Sequence, residues 1–236
     1  MHDFRVWAPD ARRVDLIIDG ETLPLNPAED GWWRRPVEGA VPGTRYQFSL
    51  DGGPPRPDPR SQHQPLGVDG PSELVDHNSF PWTDSAWKGF TLSGSVLYEL
   101  HVGTFSPAGT FEGAIDKLPH LVSLGVDAVE LMPVCEFSGN RGWGYDGVDL
   151  FAVHHAYGGP EGLKRLVDAC HAAGLGVIVD VVYNHLGPAG NYLPEFGPYF
   201  SVRHVTHWGP AINFDGPDSD EVRRFVVDNA SMWLRE

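Results

Sequence analysis

The sequence predicts a β-sandwich followed by an α/β domain that contains about three βα units. Apolar residues recur at every second position early in the chain and at helical spacing later. The loops after the second and third α/β strands are long, at about residues 132–159 and 183–217. We expect residues 1–91 to form the sandwich and residues 92–236 the α/β part.

Two segments carry the strand pattern of the sandwich. The apolar residues at positions 14, 16 and 18, and again at 46, 48 and 50, alternate with other residues. This period of two is typical of strands with one buried face. Residues 51–53, Asp-Gly-Gly, indicate a turn. Six prolines between residues 54 and 71 then predict an extended connector, which Leu66 and Val68 anchor to a surface.

Three strands and three helices follow. We predict strands over residues 96–101, 126–131 and 176–182, the last apolar enough to be buried on both faces. The first helix is expected to begin after Thr110 and to break at Pro119. One face of it would carry Phe111, Ala114, Ile115, Leu118 and Val122.

The second helix is predicted to start at Pro160 and to end at Gly174. The third opens near Asp218, where Glu221 would complete a capping box. Alternating strands and helices imply parallel strands with right-handed crossovers. A doubly wound open sheet fits this rhythm too, although no Gly-x-Gly-x-x-Gly follows the first strand to support nucleotide binding.

Composition excludes several classes of function. The 236 residues include 32 acidic and 17 basic side chains, and a formal charge of -15 disfavours nucleic acid as a partner. No apolar run approaches the roughly 20 residues that span a bilayer. The N-terminus has no signal-peptide pattern, and the two cysteines, Cys135 and Cys170, are expected to be buried thiols. We therefore expect a cytoplasmic protein without a membrane partner.

Three motifs resemble the α-amylase superfamily of glycosidases. Residues 180–185, Asp-Val-Val-Tyr-Asn-His, are similar to its first motif, and residues 125–133 to its second-strand motif, which ends in proline. Residues 143–146, Trp-Gly-Tyr-Asp, resemble the loop that places a tyrosine against the sugar. The resemblance implies an incomplete TIM (β/α)8 barrel that holds about the first three βα units.

Further stretches narrow the resemblance. Residues 4–9, Phe-Arg-Val-Trp-Ala-Pro, are similar to the N-terminal sandwich of branching enzymes, isoamylases and maltooligosyltrehalose trehalohydrolases, a carbohydrate-binding-module-like domain of the early-set, immunoglobulin-like type. Residues 98–107, 154–160, 184–193 and 211–217 are most similar to the trehalohydrolases.

The resemblance also implies a mechanism. These glycosidases retain configuration and use two carboxyl groups about 5 Å apart. In the family the nucleophilic aspartate follows the fourth strand, the acid glutamate the fifth, and a further aspartate that stabilises the transition state the seventh. This chain ends at Glu236, inside the third helix. We therefore assign no nucleophile or acid, expect no turnover by this chain alone, and interpret it as a piece truncated before the fourth strand.

A truncated barrel would have an open edge on its third strand. An apolar open edge is a template for aggregation. We therefore expect this chain alone to be poorly soluble or loosely packed.

The site residues follow from the same motifs. Tyr145, His185, Trp143 and Asp146 are expected to bind the sugar: Tyr145 by stacking on the ring, and His185 by donating a hydrogen bond to a hydroxyl. Asp180 and Asn184 are expected to have structural roles at the site. Asparagine at the position of Asn184 ligates calcium in many α-amylases, but trehalohydrolases do not generally depend on calcium, so we expect no metal and no cofactor.

Two other groups of residues could be mistaken for functional ones. The pair His154 and His155 could suggest a metal, but no second group of ligands lies at zinc spacing. Glu130 and Glu136 lie near a strand end and could be taken for catalytic acids. We expect them to have surface or rim roles.

Three hypotheses about function remain open. The first is a hydrolase of trehalose biosynthesis that releases trehalose from maltooligosyltrehalose by cleaving the α-1,4 bond next to the trehalose unit; its metabolic partner would be maltooligosyltrehalose synthase. The second is a glycogen branching enzyme or another enzyme of the superfamily that acts on a related α-glucan. The third is a non-catalytic glucan-binding protein whose sandwich uses Trp7, Trp32 or Trp33.

Overall fold

An antiparallel β-sandwich begins the structure, a computed structural model that describes residues 1–236. Its strands are β1 (His2–Trp7), β2 (Val14–Ile18), β3 (Glu21–Pro24), β4 (Asn26–Pro27), β5 (Trp32–Val37), β6 (Arg45–Leu50) and β7 (Ser72–Glu73). One sheet has the order β1-β5-β4 and the other β3-β2-β6-β7. The period-two prediction is confirmed for Val14, Leu16 and Ile18, which are all buried, whereas at the end of β6 Ser49 is buried and Leu50 is only half-buried. Asp51 and Gly52 both have positive φ, as the predicted turn requires.

The connector follows the surfaces of both parts of the molecule. Val68 is buried as predicted, but Leu66 is 62% exposed, so its expected role as an anchor was wrong. The guanidinium of Arg60 lies over the rings of Phe151 and Phe225 and forms an ion pair of 2.7 Å with Asp228. The connector is thus fixed to the α/β part by a cation as well as by apolar contacts.

The α/β part is built on a parallel sheet of three strands in the order β12-β9-β8. Its strands are β8 (Leu97–Leu100), β9 (Ala128–Leu131) and β12 (Gly176–Val179). Two antiparallel hairpins are inserted, β10 (Cys135–Glu136) with β11 (Asp149–Val153) and β13 (Phe200–Thr206) with β14 (Gly209–Ile212). The helices are α1 (Val102–Phe105), α2 (Phe111–Ile115), α3 (Leu118–Ser123), α4 (Gly159–Ala172), α5 (Leu193–Phe196) and α6 (Ser219–Arg235). None of the helices has the length and apolar character needed to cross a membrane.

The first predicted helix is two helices, α2 and α3. Thr110 caps α2 as expected by accepting a hydrogen bond from the Gly113 amide. Pro119 lies in the first turn of α3, where its missing N–H costs nothing. The break shifts the helical phase, so Leu121 is buried and Val122 is 46% exposed. The prediction that Val122 shares the buried face was wrong for this reason.

Two predictions about the later elements were also wrong. Asp218 precedes α6 with φ 57° and makes no side-chain cap, while Glu221 pairs with Arg224, so there is no capping box. The third strand ends at Val179 and is only half-buried beyond Gly176. It lies at the edge of the sheet, where it pairs with β9 alone.

A single apolar cluster joins the sandwich to the α/β part. It combines sandwich residues such as Phe4, Trp7 and Phe48 with α/β residues such as Phe196 and Phe225. The ring of Tyr199 packs edge-on against both Trp7 and Phe225. The sandwich is therefore part of the core that supports the long loops, and its position relative to the sheet is fixed by packing.

Both cysteines are free and buried, as expected. Burial raises the pKa of Cys135 and of Cys170 to about 12. A thiol with so high a pKa carries almost no thiolate at neutral pH, so neither residue is a nucleophile or a reactive thiol.

One buried acid lacks the partners that burial demands. Asp149 begins β11, is 5% exposed, and has one carboxylate oxygen with no hydrogen-bond partner. Burial, and next the negative charge of Glu136, raise the pKa of Asp149 well above its usual value. The charged form is thus destabilised in the folded protein.

We expect Asp149→Asn to stabilise the chain at pH 7, because the amide avoids both the buried charge and the proton uptake that would neutralise it. The melting temperature should rise by about 2–4 °C, which corresponds to roughly 1 kcal/mol for a chain of this size. A raised folded pKa costs stability only above the unfolded value of about 3.9, so the gain should disappear below that pH. Thermal melts at pH 7 and pH 3.5 test this, with the exposed Asp10→Asn as control. An equal shift at both pH values would contradict it.

Candidate functional site

An open cavity of about 1010 Å³ lies between the two long loops. The loop after β9 contributes residues 142–146, and the loop after β12 contributes residues 185–194 together with the β13–β14 hairpin. Both loops follow the carboxyl ends of parallel strands, the edge at which α/β folds place their binding sites.

A hydrogen bond between His185 and Tyr145 joins the two loops. The carbonyl oxygen of Tyr145 accepts from Nε2 of His185 at 2.8 Å, so this nitrogen carries the proton. The other ring nitrogen lies 2.9 Å from Oδ1 of Asn184. Because Nε2 donates, the neutral ring can only accept at Nδ1, and Asn184 satisfies this nitrogen when its amide NH2 group faces it. His185 lines the cavity, and its expected role as a donor to a sugar hydroxyl stays a prediction that requires the bond to the Tyr145 carbonyl to open.

A hydrogen bond from its hydroxyl group holds the side chain of Tyr145. Its hydroxyl donates to Oδ2 of Asp180, at the end of β12, over 3.1 Å. Burial and this hydrogen bond raise the pKa of Tyr145, so the phenol remains protonated at neutral pH. This is the contact that a structural role of Asp180 requires, and the hydroxyl oxygen keeps a lone pair for a ligand.

Two glycines allow the loops to approach each other and the sheet. A Cβ on Gly187 would lie 2.0 Å from the carbonyl oxygen of Asp146, and the Gly187 amide donates to the Gly147 carbonyl. Gly144 has φ +88°, and a Cβ there would lie 2.2 Å from the carbonyl oxygen of Pro133. Both positions exclude any residue with a side chain.

Two exposed tryptophans flank the cavity. Trp143 is 71% exposed and lies beside His101, whose Nε2 donates to the Gly142 carbonyl at 2.7 Å and holds this loop. Trp208, in the β13–β14 hairpin, is 73% exposed and stacks on His185 with ring centroids 5.7 Å apart. Large exposed aromatic rings are costly unless a ligand covers them, so they indicate a binding surface.

The structure brings the predicted site residues together. Trp143, Tyr145, Asp146 and His185 all line the cavity, and Asp180 and Asn184 hydrogen-bond to two of them. Sequence reasoning missed Trp208 and His101. The available signal for Trp208 was an isolated tryptophan within a long loop, and for His101 a histidine at the carboxyl end of a predicted strand.

Glu136, expected on a rim, is fully buried instead. Its Oε1 accepts from Nδ1 of His154 and of His155, at 3.0 and 2.7 Å, and its Oε2 accepts from the His155 amide. Glu136 thus places a third potential ligand beside the two histidines, with ligand atoms within 4.8 Å of one another, although no second group of ligands stood at zinc spacing in the sequence. Hydrogen bonds among the three side chains account for this arrangement, and the absence of a metal stays a prediction.

The sandwich tryptophans have other partners. Trp7 is 3% exposed and its indole N–H donates to the Asp30 carbonyl. The indole N–H of Trp33 donates to the Ala8 carbonyl. The guanidinium groups of Arg5 and Arg60 both lie over the ring of Trp32. Trp7 is thus buried in the core and the ring of Trp32 is covered by two arginines, which speaks against their use for glucan binding by the sandwich.

We expect Gly144→Ala to disrupt the loop that carries Trp143 and Tyr145. Gly139 provides a matched control, because it has φ +80° in the same loop but open space around a Cβ. Gly139→Ala should cost only the left-handed backbone penalty of about 1–2 kcal/mol. Gly144→Ala adds a backbone collision and should cost about 3 kcal/mol or more. Urea unfolding and near-ultraviolet circular dichroism measure both effects, and equal losses would contradict the account.

Comparisons with known proteins agree with this architecture. The family described as alpha amylase, catalytic domain, matches residues 75–198, and carbohydrate-binding module 48, the isoamylase N-terminal domain, matches residues 2–61. The malto-oligosyltrehalose trehalohydrolase of Arthrobacter ramosus is 54% identical over 99% of this chain and 41% of its own length. A branching enzyme of Pseudoalteromonas atlantica is 32% identical over 98% of the chain and 36% of its own length.

A solved structure supports the same conclusion. The crystal structure of a putative alpha amylase from Salmonella typhimurium superposes with a TM-score of 0.94 at 46% identity, over 98% of this chain and 39% of that one. The chain thus spans about two fifths of the length of the relatives it matches. With a β-sandwich, three βα units and the family match over more than half of its residues, the chain belongs to the α-amylase family.

Proposed function

We propose that the chain is part of a retaining glycoside hydrolase of trehalose biosynthesis, which releases trehalose from maltooligosyltrehalose by cleaving the α-1,4 bond next to the trehalose unit. The observation that carries this proposal is one cavity that combines Tyr145, His185 and two exposed tryptophans. Identity of 45–54% with several trehalohydrolases, against 32% with a branching enzyme, favours this activity within the family.

The cavity has the chemistry that a glucan needs. A pyranose ring presents C–H groups on its faces and hydroxyls around its edge, so it stacks on aromatic rings and hydrogen-bonds to polar groups beside them. Trp143 and Trp208 supply exposed aromatic surface, and Tyr145 and Asp146 supply polar atoms. The volume of about 1010 Å³ is at the upper end of the range for small-molecule sites and suits an oligosaccharide.

We propose that these residues bind substrate and that none of them attacks it. Retention requires two carboxyl groups about 5 Å apart on either side of the bond. Among the residues that line the cavity, Asp146 alone carries a carboxylate. The nucleophile and acid are accordingly proposed to lie in the part of the relatives' length that this chain does not span.

The remaining expectations enter the same proposal. We propose maltooligosyltrehalose synthase as the metabolic partner, because it makes the substrate. We also propose that the protein is located in the cytoplasm. We further propose that the boundary between the sandwich and the α/β part lies near residue 91.

Pullulanase structures that superpose on this chain at TM-scores of 0.85 and 0.86 contain maltotriose or maltotetraose, which supports an α-glucan as ligand of the same fold.

Binding by this chain is the first test. We expect it to bind maltooligosaccharides weakly, with Kd of about 1 mM, and to change its tryptophan fluorescence as it does so. Trp143→Ala and Trp208→Ala should each weaken binding roughly fivefold, because each removes a stacking surface. Trp82→Ala is the matched control, since Trp82 is also partly exposed but lies outside the cavity. Equal affinity for all four proteins would contradict the proposal.

Turnover by the whole protein is the second test. Given maltooligosyltrehalose, the proposed hydrolase releases free trehalose, whereas a branching enzyme transfers glucan chains and releases none. We expect free trehalose as a product by chromatography. Branched products without trehalose would support the branching enzyme instead. The 236-residue chain serves as a control and is expected to show no turnover.

A further inference from the structure

We infer that the sandwich and its connector position one wall of the cavity, through a latch formed by Asp69 and Arg56 on the connector and Tyr192 and Glu195 on the loop after β12. This inference rests on the proposed function, because it assigns these residues as positioning residues for glucan binding. The wall is the segment 187–197, and Pro188, Asn191 and Pro194 line the cavity.

Polar contacts fasten this segment from the connector side. The Tyr192 hydroxyl donates to Oδ1 of Asp69 at 2.5 Å, across 123 positions of sequence. The Arg56 guanidinium lies 4.1 Å from the centre of the Tyr192 ring and donates from Nε to Glu195 at 2.8 Å. One aromatic side chain is thus held both at its hydroxyl and on its face, which fixes its orientation.

Steric contacts hold the same segment. Gly190 has φ +78°, and a Cβ there would lie 2.2 Å from Cγ2 of the buried Val68. At the other end of the segment, a Cβ on Gly197 would lie 3.0 Å from the ring of Trp7. The segment therefore lies directly against the connector at Gly190, where there is no room for a side chain, and in close contact with the sandwich at Gly197.

Apolar anchors complete the attachment. Leu193 and Phe196, the first and last residues of α5, are 4% and 1% exposed and belong to the cluster that contains Trp7. Pro194, between them in sequence, is exposed and faces the cavity. One side of α5 is thus buried against the sandwich, and the other side is exposed to the cavity. The position of the sandwich therefore determines where this part of the binding site lies.

Of the sandwich tryptophans, Trp7 contacts this segment directly. The sandwich acts on the glucan through the wall that it supports. Asn191 lies between the Gly190 contact and the Tyr192 latch, so movement of either displaces the side chain that faces the cavity.

Tyr192→Phe and Asp69→Ala test the latch in the intact chain. Phenylalanine keeps the ring beneath Arg56 and removes only the hydroxyl, which minimises effects on folding. Arg34→Ala is the control, because it breaks the partly exposed pair with Asp3, elsewhere in the sandwich. We expect amide hydrogen exchange in residues 187–197 to be about tenfold faster in both latch variants and unchanged in the control. Unchanged exchange in the latch variants would overturn the inference.

The second readout is affinity for maltooligosaccharides. Kd should rise about threefold to tenfold in the latch variants, and the double variant should be no worse than either single one, because both changes break the same bond. Faster exchange with unaltered affinity would show a structural latch without a role in binding and would overturn the positioning role. If the unaltered chain binds no maltooligosaccharide, the proposed function fails, and the exchange measurement alone decides whether the latch holds the loop.

Discussion

The hydrogen bond from His185 to the carbonyl oxygen of Tyr145 is the contact on which the rest of the site depends. It joins two loops that leave adjacent parallel strands, and so turns two separate strand ends into one cavity. Asp180 fixes the tyrosine ring from the sheet, and Trp208 stacks on the histidine from above. Because the two loops are joined before a ligand binds, their aromatic side chains are already in place, and less conformational entropy is lost on binding.

The sandwich gives these loops their support. The apolar cluster that runs from Phe4 to Phe225 has no boundary between the two parts of the chain. Arg60 adds a half-buried cation between aromatic rings of both. Consequently the long loop after β12 is anchored at α5 although it has little regular structure of its own. Loops of this length are usually either functional or disordered, and here packing against a second domain provides the order that function needs.

Periodicity was sufficient to predict the layer order and the three parallel strands, and the resemblance to the α-amylase motifs predicted four of the residues that line the cavity, Trp143, Tyr145, Asp146 and His185. They failed where tertiary contacts decide the outcome. The helix phase around Val122 depends on a break whose position a single proline does not define. The buried state of Glu136 depends on two histidines, 18 and 19 positions later, that directly follow the partner strand of its own hairpin. Trp208 could not be assigned, because its partner His185 lies 23 positions earlier and only the hairpin brings them together. A pattern along the chain carries no information about such approaches between distant segments.

A crystal structure of this chain soaked with maltotriose tests the central claim most directly. We expect a glucose ring in the cavity between the two loops, stacked on an aromatic ring and with a hydroxyl within hydrogen-bond distance of Tyr145. The bond from His185 to the Tyr145 carbonyl should either persist or be replaced by one to the sugar. Sugar density on the sandwich, with the cavity left empty, would contradict it.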